Sequence, residues 1–487
     1  MITRRNVVEA VVGLPLLAAY PAFAAAHADW GQDIRLLRRA YTALHPGLYR
    51  YATPAQVSAR LDRLEASFAK GPALGEAYLQ LSEFLASLQC GHSYANFYNQ
   101  SDAVASALFN ARSRLPFFFR WLDGAMIVTG GSDDPVLAAG TEIRSINGVS
   151  AQETLKALMP YARADGGNDA KRRALLEVSG LDAYETFDIF HSLKFPPASD
   201  MIALKVRTTP GGPTRKHAVR ALDLAERRAM SASDNPDADA PQWTFAWMAE
   251  RTGLLTMPGW ALFNSKWDWR AFLDGVFAEL ADRGATGLVV DLRGNEGGLD
   301  CGHLIIARLI DKDLVIDGGD RKVRYRKVPD ALNPYLDTWD NSFRDWGDDA
   351  VAVENGFYRQ TKYDDDARGE VIAPMGPRFA GKVAILIDAQ NSSATFQFAS
   401  IVQSNRLATL IGEPTGGNKR GINGGAFFFM RLPKSGIEVD LPLIGYFPTT
   451  PQPDEGLKPD IIAAPSIEDI RSSRDRVKEK ALAFVSA

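Results

Sequence analysis

Apolar residues recur at helical spacing through the first part of the chain. After Thr53-Pro54 they return every three or four positions, the period of one helix face, and proline suits the first turn of a helix. A second apolar stripe covers residues 74–88, and Gly91 is expected to end that helix directly before His92. Residues 29–110 therefore predict a small helical bundle.

A different pattern begins near residue 111. Apolar and polar positions alternate over residues 138–150 and reach Asn147-Gly148, a dipeptide that favours a tight hairpin turn. These features predict a β-rich module over residues 111–230, with a helix over residues 151–159. Residues 226–242 are poor in large apolar groups and predict a linker.

The pattern over residues 243–470 alternates strand and helix. Three short runs, at 287–291, 383–388 and 408–413, are almost wholly apolar, which is typical of strands buried in a parallel sheet. This part therefore predicts a layered α/β core. A charged, aromatic-rich insertion at 313–376 predicts a lid or a substrate wall rather than a solvated loop. Residues 471–487 predict a C-terminal helix.

The first 28 residues predict an export signal. Arg4-Arg5 precedes a short apolar stretch, and small residues follow, so cleavage is expected after Ala24, Ala26 or Ala28. The arginine pair suggests the twin-arginine route to the periplasm or the cell exterior. Since no other stretch is long and apolar enough to span a bilayer, we expect no stable membrane insertion after cleavage.

Composition and absent motifs exclude several classes of function. A net charge of −4 gives no basic face, so nucleic acid is not an expected partner. The two cysteines, Cys90 and Cys301, form no CxxC pair, which excludes a zinc ribbon or thioredoxin motif but permits one disulfide. The chain lacks the P-loop, GxGxxG, HExxH and GxSxG signatures. No metal or organic cofactor is expected.

Four motifs follow predicted strand ends or lie near the C-terminus. They are "DLRGNEGG" (291–298), "DAQNSSATFQFAS" (388–400), "GEPTGGN" (412–418) and "GLKPDI" (456–461). Glycine N–H groups at a strand end can stabilise an oxyanion, and a serine opening a helix lies near free N–H groups. Each motif alone has an ordinary explanation. The glycines can form a plain turn, and Ser392 or Ser393 can cap the helix.

In this order, the four motifs resemble those of the C-terminal processing and tail-specific proteases and of the tricorn protease core. The resemblance implies an α/β protein with a layered crotonase/ClpP-like catalytic core, preceded by a helical bundle and a PDZ-like β module. The run "GTEIRSINGVS" is similar to the core of such a PDZ-like module. The "CGHS" segment resembles the "DGHT" region of the tricorn-like branch.

The resemblance also assigns roles to individual residues. Ser393 matches the nucleophile, and the N–H of Ala394 with that of Gly297 or Gly298 matches the oxyanion hole. His92 matches the base of the tricorn-like branch.

The acid and an alternative base are less well defined by the resemblance. Asp454 or Glu455 falls where the tricorn-like branch has its assisting acid. The processing branch instead uses a serine–lysine dyad, and Asn418 stands at the aligned lysine position, so Lys419 is an alternative base one place late. Ser93 could assist His92 by hydrogen bonding. If His92 and Gly298 share a site, Cys90 and Cys301 should lie near each other.

The sequence thus predicts an exported serine peptidase that acts on a peptide or protein substrate by acyl transfer. A crotonase-like acyl-CoA enzyme is disfavoured by the export signal, because coenzyme A is cytoplasmic. A non-catalytic peptide-binding protein on the same fold is the other alternative. Substrate specificity, endo- or tail-specific cleavage and the oligomeric state stay open.

Overall fold

The structure, a computed structural model, describes residues 29–181, 184–230, 239–316, 318–362 and 370–487. The predicted export signal and its cleavage sites lie outside these residues. The α-helices are α1 (Gly31–Leu44), α2 (Pro54–Phe68), α3 (Leu74–Ser87), α4 (Asp102–Phe109), α5 (Ala151–Leu158), α6 (Asp169–Leu175), α7 (Thr186–Lys194), α8 (Leu224–Met230), α9 (Trp269–Asp282), α10 (Gly302–Ala307), α11 (Ser393–Ser404), α12 (Ile467–Arg471) and α13 (Arg476–Ser486). The first ten strands are β1 (Phe118–Leu122), β2 (Ala125–Gly130), β3 (Glu142–Ile146), β4 (Val149–Ser150), β5 (Met201–Arg207), β6 (Arg215–Arg220), β7 (Thr244–Ala249), β8 (Thr252–Thr256), β9 (Gly287–Asp291) and β10 (Leu314–Ile316). The others are β11 (Asp320–Val323), β12 (Leu336–Asp337), β13 (Ala350–Ala352), β14 (Tyr358–Gln360), β15 (Glu370–Ile372), β16 (Lys382–Ile387), β17 (Thr409–Gly412), β18 (Asn423–Arg431), β19 (Glu438–Phe447) and β20 (Ile461–Ile462).

The N-terminal helices form largely where the apolar spacing predicts them. Helix α2 opens with a capping box, in which Thr53 Oγ1 accepts from Gln56 N at 3.2 Å and Gln56 Oε1 accepts from Thr53 N at 2.8 Å. Helix α3 ends at Ser87, four residues earlier than expected. The chain turns at Gln89, which adopts a left-handed φ of 56°. His92 therefore lies in a turn beyond the helix.

The β-rich module is an antiparallel sheet. Its order is β1-β2-β3-β5-β6, with β4 paired to β3 through the predicted Asn147-Gly148 turn. Both turn residues have positive φ, 47° and 90°, as a tight hairpin requires. The predicted linker is wrong at its start, because α8 occupies Leu224–Met230. The fully buried Arg227 of α8 pairs with Asp188 at 2.8 Å, which anchors this helix to the module.

The second half of the chain contains a sheet between two helical layers, as the alternating pattern predicts. Its order is β20-β17-β16-β9-β8-β7, parallel throughout except that β7 runs antiparallel to β8. Helices α9, α10 and α11 share one apolar core with one face of the sheet. Helix α13 covers the other face with Val477, Ala481 and Val485.

The insertion at 313–376 contributes strands to a third sheet. Its strands β11, β12, β13 and β14 join β18 and β19 in the order β12-β18-β19-β11-β14-β13, while β10 and β15 pair separately. One apolar cluster joins this sheet to the N-terminal helices and the β-rich module. The Tyr41 hydroxyl of α1, for instance, donates to Asp440 O of β19 at 2.8 Å. In the described part of the chain, no helix is long and apolar enough to cross a membrane.

Candidate active site

The loops after β9, β16 and β17 meet at one edge of the parallel sheet, where α/β proteins bind their ligands. The buried Asn391 ties these loops together. Its Nδ2 donates to Leu292 O at 2.5 Å and to Asn295 O at 3.0 Å, and its carbonyl accepts from Gly416 N at 2.8 Å. The three motifs that follow β9, β16 and β17 are therefore fixed around one point.

Ser393 begins helix α11 in an unusual backbone conformation. Its φ is 53°, in the left-handed region that residues other than glycine rarely adopt, and such strain is typical of functional turns. Ser392 is the N-cap but makes no side-chain cap bond and is buried, whereas Ser393 is partly exposed. The strained turn thus presents the Ser393 side chain at the positive end of a helix.

Backbone N–H groups surround this serine. Gly297 and Gly298 have φ values of 100° and 140°. The Gly297 N–H already donates to Asn295 Oδ1 at 2.9 Å, while that of Gly298 has no acceptor among the described residues. A Cβ on Gly297 would lie 2.9 Å from both Ala394 N and Ser393 Cβ, so this glycine permits close approach. Gly298 and Ala394 are the better candidate donors.

His92, Gly297, Gly298 and Ser393 line one cavity. The His92 ring packs against Phe427, with ring centroids 5.7 Å apart. Burial lowers the pKa of His92, and its buried Nδ1 has no hydrogen-bond partner among the described residues. The imidazole is therefore neutral near neutral pH, the form that can accept a proton. The remaining lining residues are Gly91, Tyr94, Arg163, Ala164, Asp165, Lys171, Glu296, Ser392, Gly416, Phe427 and Asp440.

The carboxylate whose charge acts most strongly on this histidine is that of Asp165, which sequence analysis missed. It lines the cavity and accepts from Gly91 N at 2.8 Å. Burial lowers the pKa of His92, and the Asp165 charge opposes that shift. The predicted acid, Asp454, does not line the cavity and is linked to Asp165 through Asn418. It accepts from Asn418 Nδ2 at 2.6 Å, and the same amide donates to Asp165 O at 3.2 Å.

The other predicted groups lie away from the cavity. Lys419 Nζ is 3.0 Å from Glu455 Oε1 in a partly exposed ion pair, and neither residue lines the cavity. The lysine that does line it is Lys171, which is 2% exposed and whose Nζ lies 3.4 Å from Ser392 Oγ. The lysine close to the serine turn is therefore Lys171 and not Lys419, which the motif spacing had suggested.

Comparison with known families decides the identity of the core. Residues 251–463 match the model of peptidase family S41. This segment is an S41 peptidase domain, and the enzyme class is that of serine-type peptidases. The resemblance found from the four motifs is confirmed at the level of this family.

Solved structures of CPAF share the fold of most of this chain. Mature CPAF complexed with lactacystin superposes with a TM-score of 0.60 at 16% identity, covering 94% of this chain and 97% of that one. Mature CPAF alone gives a TM-score of 0.57 at 16% identity, covering 94% and 96%. The photosystem II D1 C-terminal processing protease gives 0.40 at 14% identity, covering 93% and 100%. A search of curated proteins found no match.

Ser93 and the two cysteines make different contacts from those expected from the sequence. Ser93 Oγ is 2.9 Å from Nε2 of the buried His45, so its hydroxyl is engaged away from His92. Cys90 and Cys301 are both free and buried, so the permitted disulfide does not form. The Asn423 amide donates to Cys90 Sγ at 3.3 Å instead. Within the described ranges, no group of three or more His, Cys, Asp or Glu side chains could hold a metal ion.

Three charged cavity residues that sequence analysis missed come from outside the S41 domain. Arg163, Asp165 and Lys171 lie in or beside the segment "RADGGN" (163–168), which leads into α6. A run of charged residues around a Gly-Gly pair was the available signal. It resembled an ordinary loop, because nothing local indicates that the segment crosses to the S41 domain.

Proposed function

We propose that this chain is an exported serine peptidase that hydrolyses peptide bonds through an acyl-enzyme at Ser393, with His92 as the base. The observation that carries the proposal is the strained first residue of α11, Ser393, lining one cavity with His92 and Gly298. Nucleophile, base and oxyanion donor are the three parts that acyl transfer needs.

The mechanism follows from these groups. His92 accepts the proton as Ser393 Oγ attacks the peptide carbonyl carbon, and the N–H groups of Gly298 and Ala394 stabilise the oxyanion. His92 then gives that proton to the leaving amine, which leaves an ester on Ser393. In the second half of the reaction, His92 takes a proton from water as the water attacks this ester, and then returns the proton to Ser393 Oγ. Losing one oxyanion donor typically costs about 100- to 1,000-fold in rate.

The orienting carboxylate in this proposal is Asp165. It supports the positive charge that forms on His92 and also fixes the preceding residue, Gly91, through its N–H. Asp454 supports Asp165 indirectly through Asn418, and Glu455 has no part in the mechanism. The proposal therefore replaces the acid expected from the motif spacing.

The substrate class is a peptide or protein, as the S41 family implies. The β-rich module is proposed to be PDZ-like and the core crotonase-like, which extends the mixed α/β fold described above. Export rests on the paired arginines and small residues of the first 28 positions. N-terminal sequencing of the protein outside the cytoplasm tests export, and retention of Met1 in the cytoplasm contradicts it.

Incubation of the purified full chain with a peptide library tests the activity. We expect cleavage by the wild type, none by Ser393→Ala, and wild-type cleavage by Ser400→Ala, a matched serine on the same helix. Equal cleavage by the wild type and Ser393→Ala contradicts the nucleophile assignment.

A further inference from the structure

Three charged side chains meet at the cavity that the candidate catalytic groups line. Glu296 Oε1 accepts from Lys171 Nζ at 2.5 Å, and its Oε2 accepts from Arg163 Nη2 at 2.9 Å. The exposed fraction of the side chain is 17% for Glu296, 2% for Lys171 and 13% for Arg163. Burial alone would raise the pKa of Glu296, but Arg163 and Lys171 outweigh it and hold that pKa well below its usual value. We call these residues the buried charge cluster.

Each member of the cluster contacts or belongs to one of the three turns that carry the candidate catalytic groups. Arg163 Nη1 donates to Gly91 O at 3.0 Å, directly before His92. Glu296 immediately precedes Gly297 in the chain.

Lys171 makes the third link, to the serine turn. Its Nζ donates to Gln390 O at 2.8 Å and lies 3.4 Å from Ser392 Oγ, directly before Ser393. The buried charge cluster thus connects the turns that carry the base, the glycine pair and the nucleophile.

The cluster also joins two parts of the chain. Glu296 belongs to the S41 domain, whereas Arg163 and Lys171 belong to the segment before it. Asn168 of that segment donates to Thr415 O at 2.9 Å and to Gly417 O at 3.0 Å, on the third loop of the same edge. Buried charges are costly unless paired, and removing one partner leaves an uncompensated charge. The segment therefore cannot shift without disturbing the catalytic loops.

We propose that Arg163, Glu296 and Lys171 are positioning residues that hold His92, the Gly297-Gly298 turn and Ser393 in register, so that the S41 domain depends on the preceding segment for activity. This inference rests on the proposed peptidase function. None of the three residues needs to touch the substrate to exert this effect.

The cluster also has an electrostatic consequence at His92. Burial lowers the pKa of His92; of the charges facing its ring, Asp165 and Glu296 raise that pKa, and Arg163 and Lys171 lower it. Tyr94 and Asp440 also line the cavity, and burial raises the pKa of both, to about 8 for Asp440. Removing Lys171 should therefore raise the His92 pKa, while neutralising Glu296 should lower it.

The test measures the His92 pKa directly in the full chain. Histidine ring signals of protein carrying ¹³C-labelled histidine are titrated by NMR, and the His92 signal is assigned by its loss in His92→Gln. We expect opposite shifts, upward in Lys171→Met and downward in Glu296→Gln. Lys458→Met, which removes a lysine that is 73% exposed, should leave the value unchanged. Unchanged or parallel shifts in the two cluster variants overturn the inference.

Kinetics on the same variants test positioning. We expect kcat to fall about 100-fold in Lys171→Met, as for a misplacement of about 1 Å, with KM nearly unchanged and part of kcat restored by Lys171→Arg. A kcat within twofold of wild type in Lys171→Met overturns the inference. If the wild type neither cleaves peptides nor reacts with a fluorophosphonate, the peptidase proposal fails, while the NMR titration still decides whether the cluster acts on His92.

Discussion

The backbone N–H of Gly91 donates a 2.8 Å hydrogen bond to the carboxylate of Asp165, which lies 74 positions later in the chain. Since Gly91 directly precedes His92, this bond fixes the turn that carries the proposed base. The same carboxylate lines the cavity beside the His92 ring. Asp165 therefore holds the turn and, in the proposed mechanism, stabilises the positive charge on the imidazole.

Replacing the two candidate acids separately should show which of them acts. We expect Asp165→Asn to lower kcat about 100-fold, because the imidazolium loses its carboxylate and the turn loses a charged acceptor. Asp454→Asn should have a clearly smaller effect, since Asp454 reaches the site only through Asn418. Steady-state kinetics of both variants would make the comparison. A larger loss in Asp454→Asn would restore the acid predicted from the motifs.

The pH dependence of kcat/KM should report the base. Burial lowers the pKa of His92, and only the neutral ring accepts a proton, so activity should fall as the pH drops through a midpoint below the usual 6.5. His92→Gln should lose nearly all activity, whereas His303→Gln, a histidine of the S41 domain outside the cavity lining, should not. A midpoint above 7, or an active His92→Gln variant, contradicts this assignment.

The ion pair between Lys419 and Glu455 should be dispensable. Both side chains are partly exposed, and such pairs contribute at most about 1 kcal/mol to the free energy of unfolding. We expect Lys419→Ala and Glu455→Ala to keep wild-type kcat and nearly unchanged melting temperatures. An inactive but folded Lys419→Ala variant would instead favour the serine–lysine dyad.

Stability at acid pH should depend on His45. Burial lowers the pKa of this histidine from 6.5 to about 3, so between these values the unfolded chain binds more protons than the native one. The free energy of unfolding should therefore fall as the pH drops from about 6.5 towards 3, by up to about 1.4 kcal/mol per pH unit from this group.

Denaturant unfolding of the wild type and His45→Gln across this range would check the effect. The difference between the two isolates His45 from Asp440 and Glu177, whose pKa values burial raises to about 8 and about 7 and whose contributions have the opposite slope. Parallel curves for the two proteins would contradict the prediction.

Periodicity predicted the S41 core well because its signals are local. The strand at 287–291 matches β9, and the serine motif opens helix α11. A buried parallel strand is apolar on both faces, so it stands out in the sequence. The strained φ of Ser393 could not be predicted, because it depends on the loops that Asn391 ties together.

The rest of the site depends on contacts between distant segments. Asp165 and Lys171 reach the cavity from the β-rich module, and no spacing rule links them to Glu296 or His92. For the same reason, motif spacing selected Asp454 and Lys419, neither of which lines the cavity. The insertion at 313–376 was expected to be a lid or wall, and its Trp339 packs on Phe427 beside His92, with centroids 5.9 Å apart.

Mapping a fluorophosphonate adduct on the purified full chain tests the central claim most directly. Peptide mass spectrometry should find the modification on Ser393, formed more slowly as the pH falls below the His92 midpoint and absent from Ser393→Ala. The neighbouring Ser392 is buried, and its Oγ lies 3.4 Å from Lys171 Nζ, so it should stay unmodified. An adduct on Ser392, or none on a folded wild-type protein, would contradict the assignment of Ser393 as the nucleophile.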